Sequence, residues 1–320
     1  MYKKAVGLLT TLTLALAQTQ TWNMATPYPD SNFHTLNIRE FAKEVEAATQ
    51  GRLVIRVSSG GSLLPHPQIL PGVRGGQIQM GEVLVSLLAN ENPIFALDSI
   101  PFLVGNYDDA QRLYRVSRSE IENWLNRRGM TLLFSVPWPG QGLYTKQPVN
   151  SIADLKGVRF RAYNPATARI AELTGMIPTQ VEAADIPQAF ATGIVAAMIT
   201  SPSTGVDSQA WDFARYYYDL RAWIPRNMVF VSQRALDSLS PADREAVLAA
   251  ARRAEQRGWQ ASQQEANSKT ATLAQRGMQV LQPSPQLMAE LKKVGQTMTN
   301  EWLKRAGATG VNIYRAYLGR

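Results

Sequence analysis

Apolar residues along this chain alternate between helical spacing and short strand-like runs. Ile38, Phe41 and Val45 follow the spacing of one helix face, and Gly51 closes that helix. A β-branched strand is predicted next, at residues 53–57, and the run TWNMATPYP before the helix predicts an earlier strand and a loop. The chain therefore opens with a β-α-β unit, which is typical of an α/β domain.

The rest of the first domain continues this alternation. An apolar strand is predicted at residues 78–85, and residues 90–104, which include two prolines, are predicted to form an extended loop. A helix is expected to start at Asp108 or Asp109, where acidic side chains suit the positive end of the helix dipole. Gly129 is expected to end it.

Two segments are predicted to cross between this domain and a second α/β domain. The run PWPGQG, residues 137–142, follows a strand and carries the prolines and glycines of a connection. A strand at residues 227–232 leads back. Two crossings make both domains discontinuous in sequence, and we expect them to form a hinge.

One helix is predicted to be much longer than the others. Ser240, Pro241 and Asp243 form a helix start, and no proline interrupts the chain before about Gln275. At 1.5 Å per residue such a helix extends about 50 Å, enough to run along both domains. The alternative is two helices broken near Gly258.

An arginine at a strand end is the first candidate for binding. Arg161 ends a predicted strand, and Asn164 and Pro165 then supply the cap and first residue of a helix that ends at Gly175. Open α/β sheets bind ligands beyond the carboxyl ends of their strands, and an arginine there suits a carboxylate. The alternative is an exposed arginine in a surface salt bridge, because most arginines are exposed.

Composition indicates an exported, globular protein. The chain has 320 residues, 45% of them apolar and 18% charged. Residues 1–17 have the basic start, apolar run and small residues of a secretory signal, with cleavage before Gln18. The apolar run is too short to span a membrane, and the absence of cysteine excludes disulfides and thiolate chemistry. The mature net charge of about +6 is dispersed, which argues against nucleic-acid binding.

Catalytic and metal-binding motifs are scarce. His34 and His66 are the only histidines and have no metal-ligand spacing. There is no GxSxG, P-loop or GxGxxG motif, so we expect neither a metal nor another cofactor.

Other polar and aromatic residues have a structural alternative. Trp138 and Trp223 either contact a ligand or pack in the core. Thr200 and Ser201 follow a predicted strand and either face a ligand or cap the next helix. Together these residues favour a binding site over a reaction site.

The segments LKGVRFRAYNP and ATGIVAAMITSPS, with the helix start SLSPADREAVLAAA, resemble a known family. The chain is similar, over its mature length, to the DctP-type substrate-binding proteins of tripartite ATP-independent periplasmic (TRAP) transporters. The resemblance implies a two-lobed α/β fold of the periplasmic-binding-protein type, class II, with a hinge and a long domain-spanning helix. We expect a signal peptide at residues 1–17, a first lobe at 18–138 plus 226–265, and a second lobe at 139–225 plus 266–320.

The same resemblance suggests binding residues. Arg161 falls on the family's carboxylate-binding arginine, and Thr200 on a position where many members have an asparagine. The second arginine of many members is missing, and Gln141 lies nearest its place. Ala196 replaces a usual aspartate, and Ala183 replaces a bulky aromatic residue of some relatives. The predicted ligand-binding residues are Arg161, Thr200, Gln141, Trp138, Ser201, Trp223, Phe33 and Leu84.

The resemblance implies a periplasmic receptor that closes around an organic acid, which the single arginine suggests is a monocarboxylate, and delivers it to TRAP membrane permease subunits. We expect a monomer without a membrane anchor, a nucleic-acid partner or enzymatic activity. Two alternatives remain at this stage. One is a binding protein of an ATP-driven importer, and the other is a periplasmic dehydratase-like enzyme with Glu82 or Glu182 as acid or base.

Overall fold

Two β-sheets with helices packed against them form the two lobes of the molecule. The computed structural model describes residues 19–319, so the predicted signal peptide lies outside the described residues. The strands are β1 (Gln20–Ala25), β2 (Leu53–Ser58), β3 (Met80–Leu84), β4 (Met130–Pro137), β5 (Gly142–Thr145), β6 (Arg159–Ala162), β7 (Ile177–Gln180), β8 (Ala197–Thr200), β9 (Tyr216–Tyr218), β10 (Arg226–Ser232) and β11 (Gln279–Leu281).

The α-helices alternate with these strands over most of the chain. They are α1 (Phe33–Ala48), α2 (His66–Arg74), α3 (Tyr107–Asn126), α4 (Pro165–Thr174), α5 (Ile186–Ala191), α6 (Pro202–Asp207), α7 (Gln233–Asp237), α8 (Pro241–Gln275), α9 (Pro285–Arg305) and α10 (Gly307–Tyr317). None of the helices in residues 19–319 has the length and apolar content to cross a bilayer.

Each lobe has its own sheet. The first sheet has the order β2-β1-β3-β10-β4, and β10 runs antiparallel to both of its neighbours. The second has the order β11-β9-β5-β8-β6-β7, and β5 runs antiparallel to β8 and β9. The predicted α/β class and its two-lobed arrangement are confirmed. The predicted residue boundaries of the lobes remain a prediction.

The chain crosses between the sheets three times: between β4 and β5, between β9 and β10, and along α8 between β10 and β11. The first two crossings are short, and we call them the crossing segments. The two crossing segments are hydrogen-bonded to each other. Trp138 N donates to Pro225 O at 2.8 Å, and Gln141 N donates to Trp223 O at 3.0 Å. At Gly140 an added Cβ would lie 3.2 Å from the Arg221 Cα, so a larger residue there would require the other segment to shift by a few tenths of an ångström. This narrow two-stranded connection matches the predicted hinge.

Helix α8 is continuous over 35 residues, so the two-helix alternative is wrong. It packs against α1 and β4 of the first lobe and α6 of the second. Near its start Arg52 pairs with Asp243 at 2.8 Å, and further along Ser203 donates to Glu265 at 2.8 Å. The helix therefore runs along both lobes, as its predicted length requires.

Gly258 is a close-contact position in this helix and does not interrupt it. A Cβ added there would lie 2.4 Å from Val136 Cγ2 and 2.8 Å from Asn37 Nδ2. Only a residue without a side chain lets α8 lie this close to β4 and α1. The glycine signal in the sequence thus marks packing and not a helix end.

Two local predictions were wrong. Residues 90–104 do not form only an extended loop, because Pro93–Ser99 is a 3₁₀ helix capped by Asn92. Helix α3 begins at Tyr107 and not at Asp108 or Asp109, because the Asn106 side chain accepts a hydrogen bond from Asp109 N at 2.9 Å. In both places an asparagine just before the helix satisfies its first free N–H groups.

We predict that Gly258→Ala lowers the free energy of unfolding by about 1–3 kcal/mol, because the added methyl overpacks the contact with Val136. In an exposed helix interior the same change would stabilise by about 1 kcal/mol. Urea denaturation would measure the difference. The control is Ser268→Ala, an exposed position of α8, which should not lose stability. A Gly258→Ala variant as stable as wild type would contradict the close packing.

Candidate functional site

A cavity lies between the two lobes, next to the crossing segments. It contains about 420 Å³ of space between atoms, a figure that includes open solvent. Its lining comes from both lobes and from the crossings, and consists of Tyr28, His66, Leu84, Trp138, Gln141, Arg161, Tyr163, Glu182, Ala183, Thr200, Ser201, Thr204 and Pro225.

The structure brings six of the predicted binding residues to this cavity and leaves two outside its lining. The six are Arg161, Thr200, Gln141, Trp138, Ser201 and Leu84. Trp223 is fully buried behind the lining, where its carbonyl accepts the Gln141 backbone hydrogen bond. Phe33 packs behind Trp138, with ring centroids 5.4 Å apart. Aromatic residues of the cavity wall and of the layer behind it look alike in a sequence.

Arg161 is a buried charge without a direct ion-pair partner in the described chain. It lies near the end of β6, is 3% exposed, and donates from Nε to the Val181 carbonyl at 2.9 Å. Its Nη1 is buried and has no hydrogen-bond partner within residues 19–319, and no carboxylate of that range lies within 4.0 Å. Burial lowers the pKa of Arg161 to about 10, so it stays protonated at neutral pH. The surface salt-bridge alternative is wrong.

The sequence signals around Arg161 are confirmed as local structure. Asn164 Oδ1 accepts from Thr167 N at 2.8 Å, which caps α4, and Gly175 ends the helix with a φ of 75°. Pro165 is the first residue of the helix. The cap fixes the turn that follows β6, and so fixes where the end of that strand lies.

Gln141 and Tyr163 form one side of the cavity. The Gln141 amide donates from Nε2 to the Pro139 carbonyl at 2.8 Å and accepts from the Tyr163 hydroxyl at 3.1 Å. The Tyr163 ring lies 5.0 Å from the Arg161 guanidinium carbon. Gln141 is thus held by the protein itself and orients the ring beside the arginine.

A buried amide fixes the aromatic wall. Asn227 Oδ1 accepts from Trp138 Nε1 at 2.9 Å and from the Tyr28 hydroxyl at 3.2 Å. Its Nδ2 donates to Glu82 Oε1 at 2.9 Å, and the Thr26 hydroxyl donates to Glu82 Oε2 at 2.6 Å. The two rings meet edge to face, 4.9 Å apart. Glu82 therefore lies behind this wall and not in the cavity lining.

Ser201 has a structural role as well as a place in the lining. Its Oγ accepts from Thr204 N at 3.0 Å, which caps α6, so the capping alternative is correct for this residue. Thr200 ends β8 at the cavity and is 4% exposed.

His66 and Glu182 meet across the cleft, His66 at the start of α2 and Glu182 after β7. His66 Nδ1 lies 3.4 Å from Glu182 Oε2, and His66 Nε2 accepts from Leu84 N at 3.1 Å. Burial acts to raise the pKa of Glu182, but the hydrogen-bonding and electrostatic interactions with His66, the positive charge of Arg161 and the nearby Gln180 side chain together outweigh it, so the pKa is lowered.

Two further hydrogen bonds join the lobes beside the cavity. Asn32 Nδ2 donates to Asp207 Oδ2 at 2.7 Å, and Asn164 Nδ2 donates to the Ser86 hydroxyl at 2.8 Å. Together with the His66–Glu182 contact they hold the lobes together around the cavity. This is a closed arrangement of the cleft.

Sequence reasoning missed several lining residues, and named two others only as metal or acid-base candidates. Tyr28 follows β1 and Tyr163 follows β6, so the strand-end argument that found Arg161 could have found both. His66 and Glu182 carried no local signal for a shared site. In the described part of the chain, no three His, Cys, Asp or Glu side chains come together as a metal-ligand set.

Comparison with known proteins gives a family and close structural relatives. Residues 24–305 match the family model DctP, described as bacterial extracellular solute-binding protein, family 7. The crystal structure of DctP7 from Bordetella pertussis, an extracytoplasmic solute receptor binding pyroglutamic acid, is 47% identical, with a TM-score of 0.92 over 94% of this chain and 100% of that one.

Two other relatives extend this comparison. A TRAP solute-binding protein from a marine metagenome, specific for pyroglutamate, is 38% identical, with a TM-score of 0.92 over 95% of this chain and 100% of that one. A solute-binding protein of Chromohalobacter salexigens is 25% identical over 77% of this chain and 74% of its own.

We predict that Glu82 makes the stability of the protein depend on pH. Burial, opposed by hydrogen bonds from Thr26 and Asn227, raises the pKa of Glu82 from 4.5 to about 7. Because the folded-state pKa is raised, the stabilisation is complete below about pH 4.5 and is lost as the pH rises through 7, by on the order of 3 kcal/mol.

Urea denaturation between pH 4.5 and 8 should therefore show the free energy of unfolding falling more for wild type than for Glu82→Gln, which does not titrate. Glu46→Gln removes an exposed carboxylate and should keep the wild-type pH dependence. Equal slopes for wild type and Glu82→Gln would contradict the raised pKa.

Proposed function

The chain belongs to family 7 of the bacterial extracellular solute-binding proteins, the DctP type, and from this premise we propose that it captures a small monocarboxylate between its lobes. Proteins of this family are the periplasmic substrate receptors of TRAP transporters. The chain is such a solute-binding receptor and not the binding protein of an ATP-driven importer.

The proposed ligand class rests on one observation, the buried guanidinium of Arg161 that has no ion-pair partner in the described chain. A guanidinium that is buried and lacks an anion is costly unless a ligand supplies one. In the part of the chain that the structure describes, Arg161 Nη1 has no partner, and Arg161 lines the cavity. A carboxylate fits the planar fork of an arginine with two parallel hydrogen bonds. Among residues 19–319, Arg161 is the only arginine or lysine in the lining, which favours one carboxylate over two.

We infer that pyroglutamate, a cyclic monocarboxylate, is a ligand of this chain. The relatives from Bordetella pertussis and from the marine metagenome bind it, and the first of them is 47% identical to this chain. The cavity is small, and the Tyr28 and Trp138 rings supply an apolar wall for a compact ring. Thr200, Ser201 and Gln141 are proposed to lie near the polar edge of the ligand.

Closure around the ligand follows from the two-lobed fold. A ligand that contacts both lobes binds the closed form better, so it shifts the population toward closure. The lining comes from both lobes, and the two crossings form a narrow connection about which the lobes can turn. The closed receptor is then proposed to deliver the acid to the membrane permease of a TRAP transporter.

We propose that the chain binds this acid without changing it. Of the two acid-base candidates, Glu82 lies behind the aromatic wall, and Glu182 is engaged by His66. Mass spectrometry of the ligand released on unfolding should recover intact acid. Turnover of a supplied acid, lost in Glu182→Gln, would favour an enzyme instead.

We predict that Arg161→Lys weakens pyroglutamate binding at least about 100-fold, and that Arg161→Ala abolishes it. A lysine ammonium is a point charge and does not reproduce the bidentate fork. Isothermal titration calorimetry on the purified variants would measure the dissociation constants, after removal of any copurified ligand by unfolding and refolding.

Arg159→Lys is the matched control, because Arg159 lies on the same strand but is exposed. It should bind as wild type does. Full affinity in Arg161→Lys would contradict the proposed role of the fork. If wild type does not bind pyroglutamate, a thermal-shift panel of other carboxylates would test the broader ligand class, since ligands of the folded state raise its melting temperature.

A further inference from the structure

The cavity contains two buried polar atoms of opposite kind that lack partners within residues 19–319. One is the donor Arg161 Nη1, and the other is the acceptor Glu182 Oε1. Both residues line the cavity, yet they form no ion pair with each other within 4.0 Å. Buried polar groups are nearly always hydrogen-bonded, so the two atoms require a ligand that carries both an acceptor and a donor.

The contact with His66 determines which oxygen of Glu182 remains available as a hydrogen-bond acceptor. Leu84 N donates to His66 Nε2 at 3.1 Å, so we assign the imidazole proton to Nδ1. That N–H faces Glu182 Oε2 at 3.4 Å. One carboxylate oxygen is therefore engaged by His66, and the other is left as an acceptor. Although the Glu182 side chain is 29% exposed, its Oε1 atom is buried.

We propose that Glu182 Oε1 accepts a hydrogen bond from a neutral ring N–H of the bound acid, and so makes the site selective for lactam acids. This inference rests on the proposed function, in which Arg161 holds the carboxylate of the same ligand. An ammonium would bring three donors, whereas Glu182 Oε1 is the one buried carboxylate oxygen without a partner in the described chain. The N–H of a lactam brings a single donor, which matches this single free acceptor.

The same geometry links selectivity to closure. His66 belongs to the first lobe and Glu182 to the second, and the ligand N–H and the His66 N–H share one carboxylate. A ligand without the N–H leaves Glu182 Oε1 desolvated and unpaired when the lobes close. Sites built to bind an N–H or O–H reject analogues that lack it for this reason.

A pair of isosteric ligands tests the proposal. The lactone isostere of pyroglutamate has a ring oxygen in place of the N–H and keeps the carboxylate, the carbonyl and the ring size. Calorimetry should show that wild type binds the lactam at least about 100-fold more tightly than the lactone. The ring oxygen would place a lone pair against the carboxylate of Glu182.

Glu182→Gln should reverse this preference. The His66 N–H would attract the amide oxygen of the glutamine, which leaves its N–H₂ facing the cavity. The ring N–H of the lactam then faces the N–H₂ of the glutamine, and two donors cannot hydrogen-bond to each other. The ring oxygen of the lactone, in contrast, can accept a hydrogen bond from that N–H₂. The ratio of the two dissociation constants should change by at least about 100-fold. Asp185→Asn removes an exposed carboxylate three residues away and should keep the wild-type ratio.

Each outcome decides the question. Equal binding of lactam and lactone by wild type, or an unchanged ratio in a folded Glu182→Gln variant, would overturn the role of Glu182 and leave the receptor function standing. Tighter binding of proline, whose ring nitrogen is cationic, would overturn the neutral N–H. Binding of none of these acids would overturn both ligand assignments, while a carboxylate that raises the melting temperature of wild type but not of Arg161→Lys would preserve the proposed monocarboxylate receptor.

Discussion

A positive charge that the protein buries but does not neutralise is the constraint on which the rest of the site depends. Arg161 has a carbonyl on Nε and an aromatic ring beside it, but in the described chain no carboxylate lies within 4.0 Å of it. A buried salt bridge would have satisfied it within the protein. Because Arg161 has no salt bridge within the described part of the protein, the closed state without ligand has an unfavourable free energy. An anion that enters the cavity therefore stabilises the closed state. Binding energy is thereby coupled to lobe movement at a single side chain.

The hinge and the binding site share residues. The first crossing carries Trp138 and Gln141, which line the cavity, and its backbone is hydrogen-bonded to the second crossing. The amide of Asn227, at the start of β10, then holds Trp138 and Tyr28 in place. A rotation at the crossings therefore also moves the aromatic wall, because the same few residues form both.

Local signals in the sequence were sufficient for much of the framework. The cap at Asn164, the helix start at Ser240 and the absence of proline through α8 each act within a few residues, so they can be recognised without a tertiary structure. Residues that converge from distant segments gave no such signal. The pairing of His66 with Glu182 depends on how two lobes meet, and the placement of Trp223 behind the wall depends on packing, which an aromatic residue does not reveal by its type.

The long helix also separates the place where affinity is set from the place where the ligand binds. Helix α8 is held to the first lobe through α1 and β4, and it meets the second lobe at α6, where Ser203 donates to Glu265. This contact lies outside the cavity lining, but it differs between open and closed lobes if α8 moves with the first. Apparent affinity scales with the fraction of molecules that can close. A substitution at this contact would thus change the sensitivity of the receptor to solute concentration while leaving the residues that line the cavity unchanged.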